Sequence, residues 1–133
     1  MEDILSKGYA HKVSPDQKSL ANGTAWYIPH HGVYQPRKPE KIRVVFDCSA
    51  TFMRKSLIDM LHKSLNLASW LGGVLLRFRQ ERVAVLADRE SMFHQVRVPD
   101  PDSFFLCFLW WEDGNMAREL QEYQVVVHLF GAI

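Results

Sequence analysis

Apolar and polar positions alternate most cleanly over residues 41–47 (KIRVVFD), where Ile42, Val44 and Phe46 fall on one face and Lys41, Arg43 and Val45 on the other. That period of two predicts a strand with a mostly basic second face. Residues 27–39 are punctuated by Pro29, Gly32, Pro36 and Pro39 and predict loops around one short strand. From Leu57 the pattern changes: apolar residues recur at Leu57, Met60, Leu61, Leu65, Ala68, Leu71, Leu75 and Phe78, the three-and-four spacing of an amphipathic helix. Two helices are expected here, because Asn66 can cap a second segment and Gly72-Gly73 costs about 1 kcal/mol per glycine relative to alanine in a helix interior.

Residues 83–87 (VAVLA) are continuously apolar and predict a strand buried on both faces, with Asp88 where burial ends. An aromatic run over 104–111, the Asp113-Gly114 turn signal and a β-branched run over 123–129 predict an antiparallel hairpin with a turn longer than two residues. Strands mixed with helices in this order define an α+β class: antiparallel strands with packed helices, in one domain over residues 1–133.

Composition narrows the partners. The 133 residues are 47% hydrophobic, and sixteen basic residues nearly cancel fifteen acidic ones, so the net charge of +1 carries no overall signature of a polyanion. The local distribution says more. Arg37, Lys38, Lys41 and Arg43 crowd one region and Arg77, Arg79 and Arg82 another, whereas Asp100, Asp102, Glu112, Asp113, Glu119 and Glu122 make the last third acidic. An anion site is therefore expected from the middle of the chain. Cys48 and Cys107 are too few for a disulfide framework or a zinc pattern and fit a reducing compartment. With no apolar run of about 18 residues and no leader-like start, the expectation is a soluble, intracellular, cytoplasmic chain without a membrane partner. The apolar end Phe130-Gly131-Ala132-Ile133 reads as cut rather than finished.

Candidate chemistry starts with Asp88. A carboxylate at a strand end suits a divalent cation, and equally suits a turn or a helix cap. Lys41 and Arg43, two apart on a strand, point to the same side and can grip a phosphate together, or line a solvated edge. Phe93 reads as core or as one wall of a pocket. The six histidines, including the adjacent His30-His31, show no metal-ligand spacing, and Ser49 and Ser91 lack a nucleophile elbow, so zinc and serine-hydrolase chemistry are disfavoured. Trp110-Trp111 can stack bases or pack; neighbours in a strand face opposite ways, so at least one should pack.

Six ordered segments then carry a resemblance: WYIPHHGVYQP, KIRVVFDCSA, GVLLRFRQE, ADRESMFHQVRVP, FLWWEDG and VHLFGA. In this order they resemble the reverse transcriptase of BEL/Pao-type LTR retrotransposons, over nearly the whole chain. The resemblance implies a partial right-hand polymerase: fingers from the N-terminal part and the hairpin near 103–129, and the start of the palm at a strand near 82–98. It implies RNA-directed DNA polymerase chemistry, a two-metal nucleotidyl transfer with Mg²⁺ (or Mn²⁺) acting on an RNA template, a DNA primer and deoxynucleotides.

By the same resemblance Asp88 is the catalytic, metal-binding aspartate, with the backbone carbonyl of Arg89 as a further ligand. Lys41 and Arg43 bind the nucleotide's triphosphate, Phe93 lies under the deoxyribose, and Phe130 and Gly131 begin the segment that touches nucleotide and template. The sequence also departs from the family pattern. Arg89 replaces an aliphatic residue, Ile58 an Asn, Ser64-Leu65 a Gly-Pro turn, and Cys107 and Gln124 two Arg residues. No Tyr-x-Asp-Asp sequence occurs in these 133 residues, so the expected product is a fragment that does not polymerise alone. The alternative is a noncatalytic nucleic-acid-binding or interaction module derived from a transposable element.

Overall fold

A computed structural model describes residues 1–16, 25–36, 38–62 and 70–130. It is mixed α+β, with antiparallel pairing in both of its sheets. The first sheet has the order β1 (Ala10–Lys12), β5 (Leu120–Val125), β4 (Cys107–Trp111). Ala10 pairs with Val125 and Lys12 with Tyr123 on one side of β5, and Cys107 with Gln124 and Trp111 with Leu120 on the other. The aromatic and β-branched runs thus form one hairpin. Its connection holds Asp113 and Gly114 at positive φ, a region open to Asp and Gly. Arg118 pairs with Asp113 inside that connection, and Lys12 reaches Glu112 at 3.0 Å from β1.

The second sheet is a ribbon of β2 (His30–Gln35) and β3 (Lys38–Phe46), with His30 opposite Phe46 and Val33 opposite Arg43. The base of this ribbon is buried, with Phe46 in the core, whereas Ile42 midway along β3 is 54% exposed. The strand expected over 41–47 therefore forms, and its apolar face packs on the core through Phe46 and Val44 while Ile42 stays exposed.

The core joins the two sheets. Phe108 packs edge-on against Phe46 at 5.2 Å and face-on against Tyr123 at 5.5 Å. Ala10, Ile28, Cys48, Leu57, Leu106, Val125, Val127 and Leu129 complete the same cluster. Backbone hydrogen bonds tie the preceding loop to β4: the Ile28 N–H donates to Cys107 and the Cys107 N–H to Trp26. A buried polar chain crosses this core, in which the Gln124 amide donates to the Ser103 hydroxyl at 2.6 Å and Ser103 donates to the Asp100 carbonyl at 2.7 Å. Buried polar groups need such partners. Gln124 has them.

Helices are short. After α1 (Glu2–Ser6), α2 (Leu57–Met60) is fixed by a reciprocal capping box between Ser56 and Asp59 and drops Leu57 into the core. The next helix, α3 (Leu71–Phe78), contains no buried residue, and Leu71 and Leu76 stand about 70% exposed. Two helices were expected from the periodicity; the proposed cap Asn66, with Leu65, Ala68 and the Ser64-Leu65 departure, lies outside the described residues. A last helix, α4 (Asp100–Ser103), leads through a 3-10 turn at Phe104–Leu106 into β4.

The strand expected near 82–98 is not formed as one element. Residues 83–89 have no regular structure, and Val83, Val85 and Leu86 are 78–87% exposed. An apolar run becomes a buried strand only when neighbouring strands satisfy its backbone and cover both faces. Among the described residues none pairs with 83–87. The regular part comes later: Met92–Gln95 is a 3-10 turn, and the Val98 N–H donates to Val126 while the His128 N–H donates to Val96.

Candidate functional site

The ribbon, the start of the chain and the end of the hairpin segment enclose an open cleft of about 320 Å³. Its lining includes Lys41, Arg43, His94 and Phe130, with Asp3 and Ile4 from α1. Each comes there for a local reason. Lys41 and Arg43 share one side of β3 because side chains two apart on a strand point alike. Phe130 follows Leu129, whose burial at the end of the core run anchors the segment beside β3.

Aromatic contacts set the inner wall. Phe130 meets Phe93 edge-on at 5.1 Å, Phe93 stacks on His128 at 5.8 Å, and the Arg43 guanidinium lies 5.8 Å from the Phe130 ring centre. A cation over an aromatic face is attracted by the ring quadrupole, which orients Arg43 without neutralising it. Tyr9 stacks on His94 at 4.6 Å with the rings 26° from parallel. Burial holds the His94 imidazole below its ordinary pKa, helped by the charges of Arg43 and Lys7.

Of the residues expected from the sequence, Lys41, Arg43 and Phe130 meet in this cleft, and Phe93 touches Phe130 at its edge. Gly131 lies outside the described residues. Asp88 and Arg89 are exposed in the irregular segment and are absent from the cleft lining. Two residues on, Glu90 faces Lys7 at 3.6 Å across exposed surface. Among the described residues no three His, Cys, Asp or Glu side chains cluster to hold a metal. Protein-bound Mg²⁺ takes one or two carboxylates plus substrate phosphates and waters.

Two histidines escaped sequence reasoning. His94 enters the cleft because the 3-10 turn after left-handed Ser91 rotates it inward, and no spacing rule announces that. His30 is a packing residue: its ring meets Phe46, Phe108 and Trp110 at 5.5–5.6 Å, and burial lowers its pKa. Its place at the junction of Pro-rich loop and strand gave no hint of that. Trp110 packs on the core and meets Trp111 edge-on, so the tryptophan pair is partly structural. Cys48 and Cys107 are both free and buried, and burial with the nearby Glu122 charge pushes the Cys107 thiol up to about 11.

Comparison with models of protein families, with curated proteins and with solved structures finds no match to this chain. No helix among the described residues is long and apolar enough to cross a membrane.

Proposed function

We propose that these 133 residues are the fingers and the start of the palm of a BEL/Pao-type retrotransposon reverse transcriptase, and that the cleft beside β3 receives the phosphates of a nucleotide. One observation carries the reading. Lys41 and Arg43 meet Phe130, nearly ninety residues later in the chain, in one open cleft edged by Phe93, and these are the positions the six ordered segments assign to nucleotide contact. Two fixed cations on one strand with an aromatic wall suit an anionic ligand carrying a flat apolar group. The partners in this reading are an RNA template, a DNA primer and deoxynucleotides, met in the cytoplasm. Mg²⁺ (or Mn²⁺) would be held at Asp88 jointly with substrate phosphates, supplying charge neutralisation at the transferred phosphoryl group.

The position of Asp88 favours binding without turnover by these residues alone. Its carboxylate is exposed and does not line the cleft that gathers the cations. A noncatalytic nucleic-acid-binding module of transposable-element origin is thus the second reading, and it shares the basic surface with the first.

Primer extension on an RNA template with Mg²⁺ and deoxynucleotides, run beside binding of the same RNA–DNA hybrid, tests the binding and the inactivity that both readings share. The chain should bind the hybrid in a salt-sensitive way, lose affinity when Lys41 and Arg43 become Ala, and extend nothing. If both cations contact phosphates, the salt slope falls by about 2 in the double variant. Robust incorporation abolished by Asp88→Asn would overturn the claim of inactivity, and binding untouched by the loss of both cations would overturn the cleft assignment.

A further inference from the structure

The cleft holds a third nitrogen base that neither the strand pattern nor the resemblance assigns. His94 lines the same cleft as Lys41 and Arg43, and its ring stacks on Tyr9. The backbone holds it too: the His94 N–H donates to the Ser91 carbonyl at 2.9 Å, closing the turn that points it inward. We infer that His94 is a third anion contact of this cleft, whose imidazole takes a proton from solvent when a polyphosphate binds beside Lys41 and Arg43. This rests on the reading that the cleft receives phosphates and adds to it a residue and a proton.

In the free chain two cations work against an imidazolium: Arg43 from β3, and Lys7 just past α1, whose charge is partly offset by Glu90 at 3.6 Å. Lys41 and the Met1 end also line the cleft, and Asp3 is the one carboxylate among the lining residues. Tyr9 contributes a ring face rather than a charge, and Phe130 is apolar. Partial burial and these neighbours therefore disfavour the protonated His94 imidazole in the free chain. A polyphosphate reverses the sign of that local field. With several negative charges between Arg43 and the ring, the protonated imidazole becomes the favoured form and donates a charge-assisted hydrogen bond. Binding and proton uptake are then linked, so affinity rises as pH falls, by at most about tenfold per pH unit for one proton.

Titration calorimetry of the full chain with inorganic tripolyphosphate, at pH 6, 6.75 and 7.5 in two buffers of different ionisation enthalpy, reads the proton directly. The comparison is with His94→Phe, which keeps a ring on Tyr9, and His94→Arg, which fixes the charge; the ligand's own protonation cancels between variants. Wild type should take up a larger fraction of a proton than His94→Phe and gain more affinity on acidification. His94→Arg should lose that extra pH dependence while binding at pH 7.5 at least as tightly as wild type. Equal proton uptake in wild type and His94→Phe, with binding intact, overturns the role of His94 and leaves the cleft standing. Absence of binding by every form overturns the cleft reading as well. Should His94→Phe fail to fold, the His94→Arg profile decides alone: a flatter profile supports the inference and an unchanged one overturns it.

Discussion

Ser103→Ala should be among the most damaging single-atom deletions in this chain. Ser103 and Gln124 are each 2% exposed, and the hydroxyl both accepts from the Gln124 amide and donates to the Asp100 carbonyl. Deleting it removes two hydrogen bonds, each worth about 0.5–1.5 kcal/mol net, and leaves a buried amide N–H unpaired at about 1–3 kcal/mol. Asp100 is exposed, so water can replace its lost donor. The expected loss is roughly 2 kcal/mol, against a total stability of about 5–15 kcal/mol for a domain. Gln124→Leu instead removes the group that needs satisfying, so it should cost about 1 kcal/mol, and Ser103→Ala/Gln124→Leu should cost no more than Ser103→Ala alone. Urea denaturation followed by tryptophan fluorescence measures this, using the four tryptophans of the chain. With a slope of about 2 kcal/mol/M the midpoint should fall by about 1 M in Ser103→Ala. A shift below about 0.3 M, or simple additivity in the double variant, would refute the buried polar chain as a coupled unit.

Acid should weaken the fold through His30. Its folded pKa is lowered from 6.5 by burial, so its contribution is present above that value and is lost as pH falls through it. His94 acts in the same direction, so His30→Phe should reduce, not abolish, the drop in stability between pH 7.5 and 5.5 measured by urea melts; an unchanged drop would exclude His30 as its source. Ser56→Ala removes the capping box that seats Leu57 and should cost about 1 kcal/mol by thermal or urea melting, whereas a neutral result would mean that α2 is held by Leu57 alone. Both thiols should resist a disulfide reagent at pH 8 in native buffer and react with a stoichiometry of two in denaturant, since both are buried and Cys107 titrates near 11; fast native labelling of Cys107 would contradict its place in the core.

How much of this was legible depended on whether a residue's environment is local. The strand around Val44 and the hairpin of β4 and β5 were readable because period-two alternation and a turn signal act within a few residues. Lys41 and Arg43 could be placed on one side for the same reason. The run at 83–87 was misread because apolarity records a preference for burial without saying which neighbours supply it. Three-residue β1 left no pattern at all, and its pairing to β5 spans more than a hundred residues. His30 and His94 were missed because one imidazole looks the same in a sequence whether it packs, binds or faces water. Phe130 was assigned only through the resemblance; its meeting with Arg43 is a tertiary fact.

What the cleft beside β3 contacts is read most directly by photo-crosslinking. A deoxynucleoside triphosphate carrying a photoreactive base, irradiated with the chain and mapped by mass spectrometry, should label peptides containing residues 41–46, 92–95 or 129–130, with labelling suppressed by excess unlabelled nucleotide and by Arg43→Ala. Competable labelling confined to α3 or to the β4–β5 connection, unaffected by Arg43→Ala, would contradict it.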